Sequence, residues 1–386
     1  MARLTRAQHQ ERTRAAVLVA ARQEFAEHGY TEAKVDRIAE RAELTRGAVY
    51  SNFTGKRALY LAVLVDAAER ARDAADPPAE PPASAGRALG SFARVWLERL
   101  PFLGDSPGSG HLRLRSLSGV PDTEPARAAL AELVRFEALL LALALTPRPT
   151  APAAPTPFPA SAVAPGTVRR AGLALTLLHG AAAVAENAPG VGDPFDLARA
   201  AEHLADTDLG DDPEPPHLPH VAPARATETR WTPPDGLRDE ITGRPVDLGR
   251  DGVVVVLGAG RLSAAEEALR SAGPDDGVTV VVVTSDPAET GRLARLRLVD
   301  LIGCLRRVFP PDRLPRARVV LDDAGTVPAA LAHLSTADRS PGPDLDLTEI
   351  AVRIRGGLIT AHATGRGAGH AATRPRATAP DRSPTP

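Results

Sequence analysis

The chain has 386 residues, a single cysteine and a formal net charge of −2. This length is too great for one ordinary core and predicts two or three domains, whereas one cysteine excludes an intramolecular disulfide framework and a cysteine-rich zinc site. Because the sequence has no signal peptide and no apolar run of roughly 18 residues, we expect a cytoplasmic protein without a membrane partner.

The N-terminal part begins with a predicted helix over residues 6–28. Its small and apolar side chains recur at helical spacing, and Gly29 follows them as a suitable stop. Residues 1–60 carry 11 Lys or Arg against 7 Asp or Glu, so the basic charge is concentrated at one end of an otherwise acidic chain. Such a distribution suits a protein that presents this end to phosphates.

Two short helices joined by a tight turn come next. Val35, Ile38 and Ala39 repeat at i, i+3 and i+4, which places them on one face of the first helix. The turn falls near Glu43. Thr45 is then a good N-cap for the second helix, because its hydroxyl can accept a backbone N–H of the first turn.

The helix that begins at Thr45 is predicted to be a recognition helix. Val49 and Phe53, four residues apart, are assigned to the core. Two short helices, the second with a small, polar and basic outer face, are typical of a motif that enters the major groove of DNA. The residues that this assignment turns outward are Arg46, Gly47, Tyr50, Ser51 and Asn52.

The pattern from Arg12 to about Leu64 resembles the N-terminal domain of TetR-family transcriptional regulators. The resemblance implies an all-α DNA-binding domain followed by a helical regulatory domain, a homodimer, and double-stranded DNA as a partner. It rests on Phe25, Gly29, Tyr30, Val35, Ile38, Ala39, Gly47, Val49, Tyr50, Phe53, Lys56 and Leu59.

By this resemblance, two sets of side chains contact DNA. One set faces base edges, and its glycine allows close approach; the other holds phosphates and sets position more than sequence. The base-facing set is Arg46, Gly47, Ser51 and Asn52, and the phosphate-binding set is Lys34, Thr45, Tyr50 and Lys56.

Two members of the phosphate-binding set are lysines in unusual places. Lys34 stands where the family usually has Ser or Thr, so the side-chain cap of that helix is lost, although the ammonium can still pair with a phosphate. Lys56 lies in the first turn of a helix that Thr54 can cap, where a cation opposes the helix dipole. We therefore expect Lys56 to share a phosphate with that helix N-terminus.

After the DNA-binding domain of residues 1–60, residues 61–205 are predicted to form a helical ligand-binding and dimerisation domain. Its apolar lining contains few charges, which favours a small hydrophobic or amphipathic effector. Predicted helices run to about residue 75 and over 84–103, 124–145, 167–187 and 194–205, with a Pro-rich break at 76–83 and a mobile loop at 146–166.

An apolar stripe on the last two of these helices has two interpretations. In the family the corresponding helices pair with a second subunit, and an ordinary intrachain core would explain the same residues equally well. The stripe consists of Leu173, Leu175, Leu177, Leu178, Ala182, Leu197 and Leu204.

Beyond an acidic, Pro-rich linker at residues 206–229, the pattern changes to α/β in residues 230–365. Short β-branched runs alternate with helices, which predicts β-α-β units, and a closing hairpin turns at Arg355-Gly-Gly. An opening hairpin is expected near Thr242-Gly243, and residues 366–386 are expected to be disordered. The strands are placed at 253–257, 278–283, 318–321, 350–354 and 358–363, and the helices at 263–272 and 288–302.

Two folds compete for this domain. Gly258-Ala-Gly260 after a strand, with Asp286 later, imitates a dinucleotide-binding fingerprint, although Ser263 stands at the third glycine position. The order of hairpin, β-α-β unit and hairpin instead resembles a thioredoxin-like or peroxiredoxin-like domain, which we favour. Thiol exchange requires a thiolate at the start of the first helix, and the chain has no cysteine there, so we interpret the domain as a scaffold without its active site.

The predicted function is a DNA-binding transcriptional repressor that acts as a homodimer on a palindromic operator and is released by its effector. We expect no enzyme activity, catalytic residue, cofactor or metal: Cys304 is interpreted as a buried, inert thiol, and His217 and His220 as linker residues without a metal. The alternatives are a thiol oxidoreductase, and a redox-sensing or nucleotide-sensing regulator that acts through the C-terminal domain.

Overall fold

A computed structural model describes residues 5–98, 116–146, 163–164, 166–188, 190–210, 214–273, 276–334 and 344–374. Most of the loop predicted at 146–166, the end of the helix predicted at 84–103 and the last part of the predicted tail lie outside the described residues. Within the described residues, no helix is both long and apolar enough to cross a membrane.

Four helices form the N-terminal part. They pack around buried side chains that include Val17, Phe25, Ile38 and Phe53. The first helix is interrupted at Gly29, whose φ of 70° is the left-handed conformation that glycine adopts at little cost. The helices are α1 (Arg6–Glu32), α2 (Val35–Arg41), α3 (Arg46–Asn52) and α4 (Lys56–Asp73).

Four helices lie in the described residues of the next part and agree with the predicted periodicity. Ser84, Thr123 and Asp193 each cap a helix by accepting a backbone N–H with the side chain, which explains why these starts are visible in the sequence. The helices are α5 (Ala85–Leu97), α6 (Glu124–Leu145), α7 (Thr167–Asn187) and α8 (Pro194–Leu204).

The C-terminal part is a mixed sheet of six described strands in the order β1-β6-β5-β2-β3-β4. β2, β3 and β4 run parallel, and the β5–β6 hairpin lies antiparallel beside β2. The strands are β1 (Arg225–Arg230), β2 (Gly252–Gly258), β3 (Val278–Val283), β4 (Arg318–Leu321), β5 (Glu349–Arg355) and β6 (Leu358–Thr364); the helices are α9 (Ala264–Ser271), α10 (Arg292–Val308), α11 (Thr326–Leu331) and α12 (Ala368–Thr373).

Both faces of this sheet are covered. Val253 and Val255 of β2 pack with the side of the sheet that bears α9 and α10, whereas Val254 and Val256 pack on the opposite side with Trp231. Successive side chains of a strand point to opposite faces, so a run of valines is required when both faces are buried.

Several predictions of secondary structure differ from the structure. The edge strand β1, Arg225–Arg230, begins in the predicted linker and pairs with β6, and Ala368–Thr373 of the predicted tail is the buried helix α12. The expected hairpin near Thr242 is a turn with one bridge, between Arg238 and Pro245. Gly55, and not Thr54, is the N-cap of α4. In the first two cases a short polar or small-residue segment gains its structure from distant neighbours.

Candidate nucleic-acid interface

The α2–α3 pair forms a helix-turn-helix held by a tight turn and a cap. Glu43 in the turn has a φ of 55°, and Thr45 Oγ1 accepts the N–H of Ala48 at 3.2 Å. Val49 and Phe53 are 2% exposed. The sequence-based prediction of the cap and of the buried side of α3 is therefore confirmed.

The outer face of α3 is open to solvent at most of its predicted positions. Arg46, Gly47 and Ser51 are exposed, and Tyr50 is 41% exposed. Asn52 is half-buried, and both its amide and the Ser51 hydroxyl donate to Ala48 O, at 2.8 and 2.9 Å. Those two groups are thus occupied by their own helix before any contact with a base.

Arg46 is held over α3 by two contacts. Its Nη1 lies 3.2 Å from Asp36 Oδ1, and its guanidinium lies over the Tyr50 ring, 5.5 Å from the centroid. Both Arg46 and Asp36 have side chains that are 61% exposed. Such an exposed pair is weak, so the arginine can exchange Asp36 for an external acceptor.

No contact among the described residues requires Gly47 to be a glycine. A Cβ added there would meet nothing closer than Thr45 Oγ1, at 3.9 Å. A glycine within a helix is less favourable than alanine by about 0.5–1 kcal/mol. The absence of a side chain at Gly47 therefore leaves the surface of α3 open at this point.

Lys34 lacks a side-chain cap, as predicted, and the structure shows what replaces it. Glu24 of α1 accepts the backbone N–H of Lys34 at 3.1 Å, with its side chain 0% exposed. The same carboxylate lies 3.7 Å from Arg37 Nη1 and 3.4 Å from Arg41 Nε. The Lys34 side chain itself is exposed, so its ammonium faces solvent.

Glu24 was missed by sequence reasoning, although a signal was present. It continues the spacing of the buried residues Val17, Ala20 and Ala21 on α1, so a charged residue stands on an apolar face. Glu24, Glu27 and His28 also have carboxylate and imidazole atoms close enough for a metal. Because Arg37 and Arg41 already neutralise Glu24, these residues act as an ion-pair network that fixes α2 on α1.

Lys56 is placed differently from its predicted role. Its Nζ donates to Thr31 O at 2.8 Å and lies 5.1 Å from the centroid of the Tyr30 ring. Burial lowers the pKa of Lys56. The ammonium is thus engaged within the chain, and a phosphate would have to compete with Thr31.

The predicted apolar stripe is divided between the core and the surface. Leu175 and Leu178 are buried within the chain, so they are not available to a second subunit. The large apolar side chains that α7, α8 and the segment between them expose are Leu173 at 42%, Val184 at 47%, Val191 at 60% and Phe195 at 78%.

The glycines that imitate a dinucleotide fingerprint have an internal cause. A Cβ on Gly258 would lie within 2.4 Å of backbone atoms of Leu345 and Asp346, and one on Gly260 would lie 2.9 Å from Asp346 O. Gly260 N–H donates to Asp346 O at 2.8 Å. The segment before β5 therefore occupies the space beside these glycines, which removes the basis of the nucleotide interpretation.

Cys304 lies on α10 and is 0% exposed, in agreement with the predicted buried thiol. His217 Nε2 lies 3.1 Å from Glu267 Oε1, so this histidine of the predicted linker packs on α9. His220 is exposed.

Comparison with known proteins identifies the N-terminal part. Residues 17–63 match the model for bacterial regulatory proteins of the tetR family. The HTH-type transcriptional regulator SrpR of Pseudomonas putida is 45% identical over 64 residues, which cover 17% of this chain and 30% of that protein. TtgW, an uncharacterized HTH-type transcriptional regulator of the same species, is also 45% identical over 64 residues and is covered to 47%. The matched segment thus spans less than half of either relative.

Solved structures match about half of the chain. A transcriptional regulator from Rhodococcus sp. Rha1 has 20% identity and a TM-score of 0.34, over 50% of this chain and 94% of that one. NalD, the secondary repressor of the MexAB-OprM multidrug efflux pump in Pseudomonas aeruginosa, has 22% identity and a TM-score of 0.29, over 51% of this chain and 94% of that one.

Proposed function

We propose that this chain, whose residues 17–63 form a TetR-family N-terminal domain, is a DNA-binding transcriptional repressor that acts as a homodimer on a palindromic operator. Each subunit would place α3 in a major groove. Arg46, Gly47, Ser51 and Asn52 would face base edges. Lys34, Thr45, Tyr50 and Lys56 would contact phosphates.

The observation that carries this proposal is the outer face of α3. Its helix is fixed from behind by Val49, Phe53 and the Thr45 cap, while Gly47 leaves open space in front. Arg46, beside Gly47, has two partners, the Asp36 carboxylate and the Tyr50 ring, and both are exposed. A rigid helix with an open, basic front fits the major groove.

A gel-shift titration against the DNA upstream of this protein's own coding sequence tests the proposal. We expect binding that weakens as the salt concentration rises. Tyr50→Ala should weaken it further, since the exposed ring lies against Arg46 and would also contact the phosphate backbone of the DNA. Arg250→Ala, which removes an exposed charge far along the chain, is the control. Equal, salt-independent binding by wild type and Tyr50→Ala would contradict DNA recognition by α3.

The homodimer is proposed to form through the exposed apolar side chains of α7 and α8. Exposed apolar side chains mark a protein–protein contact where they lie together on a folded surface, and Phe195 is the most exposed of these residues. Phe195→Asp should give a monomer in sedimentation velocity, whereas Val19→Asp, on the exposed face of α1, should remain dimeric. A dimeric Phe195→Asp would contradict this choice of face.

The effector is proposed to be a small amphipathic molecule that binds in a cleft between α6, α7 and α9. The cleft has a volume of about 500 Å³, within the range of small-molecule sites. Phe136, Leu139 and Val168 supply apolar walls, and Ser263 and Glu266 supply polar groups at the α9 side.

Binding of the dye 1-anilinonaphthalene-8-sulfonate tests the cleft. A Cβ on Gly172 would lie 3.9 Å from Ala138 Cβ, so Gly172→Leu should fill the cleft and abolish the fluorescence increase, whereas Gly172→Ala should retain it. Equal dye binding by the two variants would place the effector elsewhere.

For the C-terminal domain we propose a thioredoxin-like scaffold without thiol chemistry. In support, the β5–β6 hairpin lies beside the parallel β2–β3 unit, and Ser263 stands at the start of α9 where a reactive cysteine would be needed. An insulin-reduction assay should show no activity. Measurable turnover would favour the alternative, a thiol oxidoreductase.

A further inference from the structure

We infer that the α/β domain is a built-in clamp on α4, which holds the helix-turn-helix in the orientation that binds DNA. This inference rests on the proposed DNA-binding function. It assigns to α10 a surface that reaches the recognition helix directly.

The first observation is the burial of α4. Eight consecutive residues, from Ala58 to Val65, are all buried. A helix that is apolar around its whole circumference needs cover on every side. α1 packs against α4, and α10 of the α/β domain also lies along it. Without α10, part of this apolar surface would face water.

The second observation is that contact reaches the end of the recognition helix. Arg292, the first residue of α10, donates from Nη1 to Ala58 O at 3.1 Å, and its guanidinium lies 5.6 Å from the centroid of the Phe53 ring. Phe53 is the C-cap of α3. Movement of α10 therefore acts on α3 without passing through α5–α8.

An ion-pair network lies at the same end of the contact between α4 and α10. Arg57 of α4 places Nε 3.0 Å from Glu289 Oε2, in the turn before α10, and Nη1 2.5 Å from Asp122 Oδ1. The Arg57 side chain is 22% exposed. One arginine thus joins the start of α4 to both the α/β domain and the segment before α6.

The clamp is anchored on the helical body at two further points. Arg297 of α10 donates from Nη2 to Glu137 Oε2 at 2.5 Å and to His179 Nε2 at 2.7 Å. Ser263 N–H, at the start of α9, donates to Glu132 Oε2 at 2.8 Å. Since α6 and α7 carry these partners, the α/β domain is fixed relative to the body while it holds α4.

The expected change in DNA affinity follows from how far α10 restricts the orientations of the helix-turn-helix. A helix-turn-helix held by α10 samples few orientations, whereas a released one must be ordered again when DNA binds, which weakens affinity. Coupling between two sites typically changes affinity by about fivefold or more. Release of α10 should therefore weaken operator binding without any change in the residues that face DNA.

Gly303 offers a direct test, because a Cβ there would lie 3.6 Å from both the Cα and the Cβ of Arg72 on α4. Alanine makes an ordinary contact at that distance, whereas leucine must push the helices apart. We expect full-length Gly303→Leu to bind the operator at least about fivefold more weakly, with faster hydrogen exchange in α3 and α4. Gly303→Ala should match wild type, and Arg292→Ala should show an intermediate loss.

The outcomes separate this inference from the proposed function. If the wild-type protein binds no operator, the proposed function fails. The hydrogen-exchange rates of α3 and α4 in Gly303→Leu then still test whether α10 restrains α4. If wild type binds and Gly303→Leu keeps its affinity within about twofold despite faster exchange, the clamp has no role in recognition. Hydrogen exchange in α3 and α4 that is unchanged in Gly303→Leu would contradict the clamp itself. The same holds if Arg292→Ala also binds the operator and exchanges like the wild-type protein.

Discussion

At the scale of single residues, a substitution of Gly47 should change protein stability and operator binding in opposite directions. Because an added Cβ would meet nothing closer than 3.9 Å, Gly47→Ala should raise the free energy of unfolding by about 0.5–1 kcal/mol. It should also weaken operator binding, since the methyl group would occupy the space through which DNA is proposed to approach α3. Urea unfolding and fluorescence anisotropy measure the two effects. Gly172→Ala, in α7 with a contact of the same 3.9 Å, should give the stability gain alone.

Glu24 is the residue-scale feature on which the start of α2 depends. Glu24→Ala would leave the Lys34 N–H without its acceptor and Arg37 and Arg41 without a buried partner. We expect a loss of about 1–3 kcal/mol in urea unfolding. Glu27→Ala is the matched control, because Glu27 is 52% exposed and also pairs with Arg41. Equal losses in the two variants would show that the burial of Glu24 has no special role.

At the scale of elements, the sequence predicted what local chemistry determines. The bounds of α6, β3 and β4 agree with the prediction, because Thr123 caps the start of α6, β3 consists of β-branched residues, and β4 has two valines at its centre. β1 and α12 were missed because their order depends on β6 and on buried contacts far along the chain. α3 was predictable for the same local reason as α6, a side-chain cap at its start. Glu24 and the Lys56–Thr31 contact were not, because each joins separate elements.

The junction of α6, α7 and α10 should be sensitive to acid. Burial, and next Arg297, lower the pKa of His179 to about 4, and His179 Nε2 accepts a hydrogen bond from Arg297. The unfolded histidine has a pKa near about 6.5, so between the two values only the unfolded chain takes up this proton. The stabilisation is complete above about pH 6.5 and is lost as pH falls toward 4.

Urea unfolding of wild type and His179→Gln, compared at pH 7 and pH 5, isolates this contribution from that of other groups. The wild-type protein should lose more stability than the variant over this interval. A parallel loss in both proteins would show that His179 does not titrate as its surroundings require.

At the scale of the whole molecule, the proposed homodimer would present each phosphate contact twice, which makes the salt dependence of DNA binding a sharp test of the two lysines. Lys34 has an exposed side chain, so Lys34→Ala should reduce the slope of log affinity against log salt by about 2 per dimer. The Lys56 ammonium instead donates to Thr31 O. Lys56→Ala should therefore reduce the slope less and lower the free energy of unfolding more. If the two variants changed the slope equally, DNA would draw Lys56 away from Thr31, and the placement of that side chain on α1 would not persist in the complex.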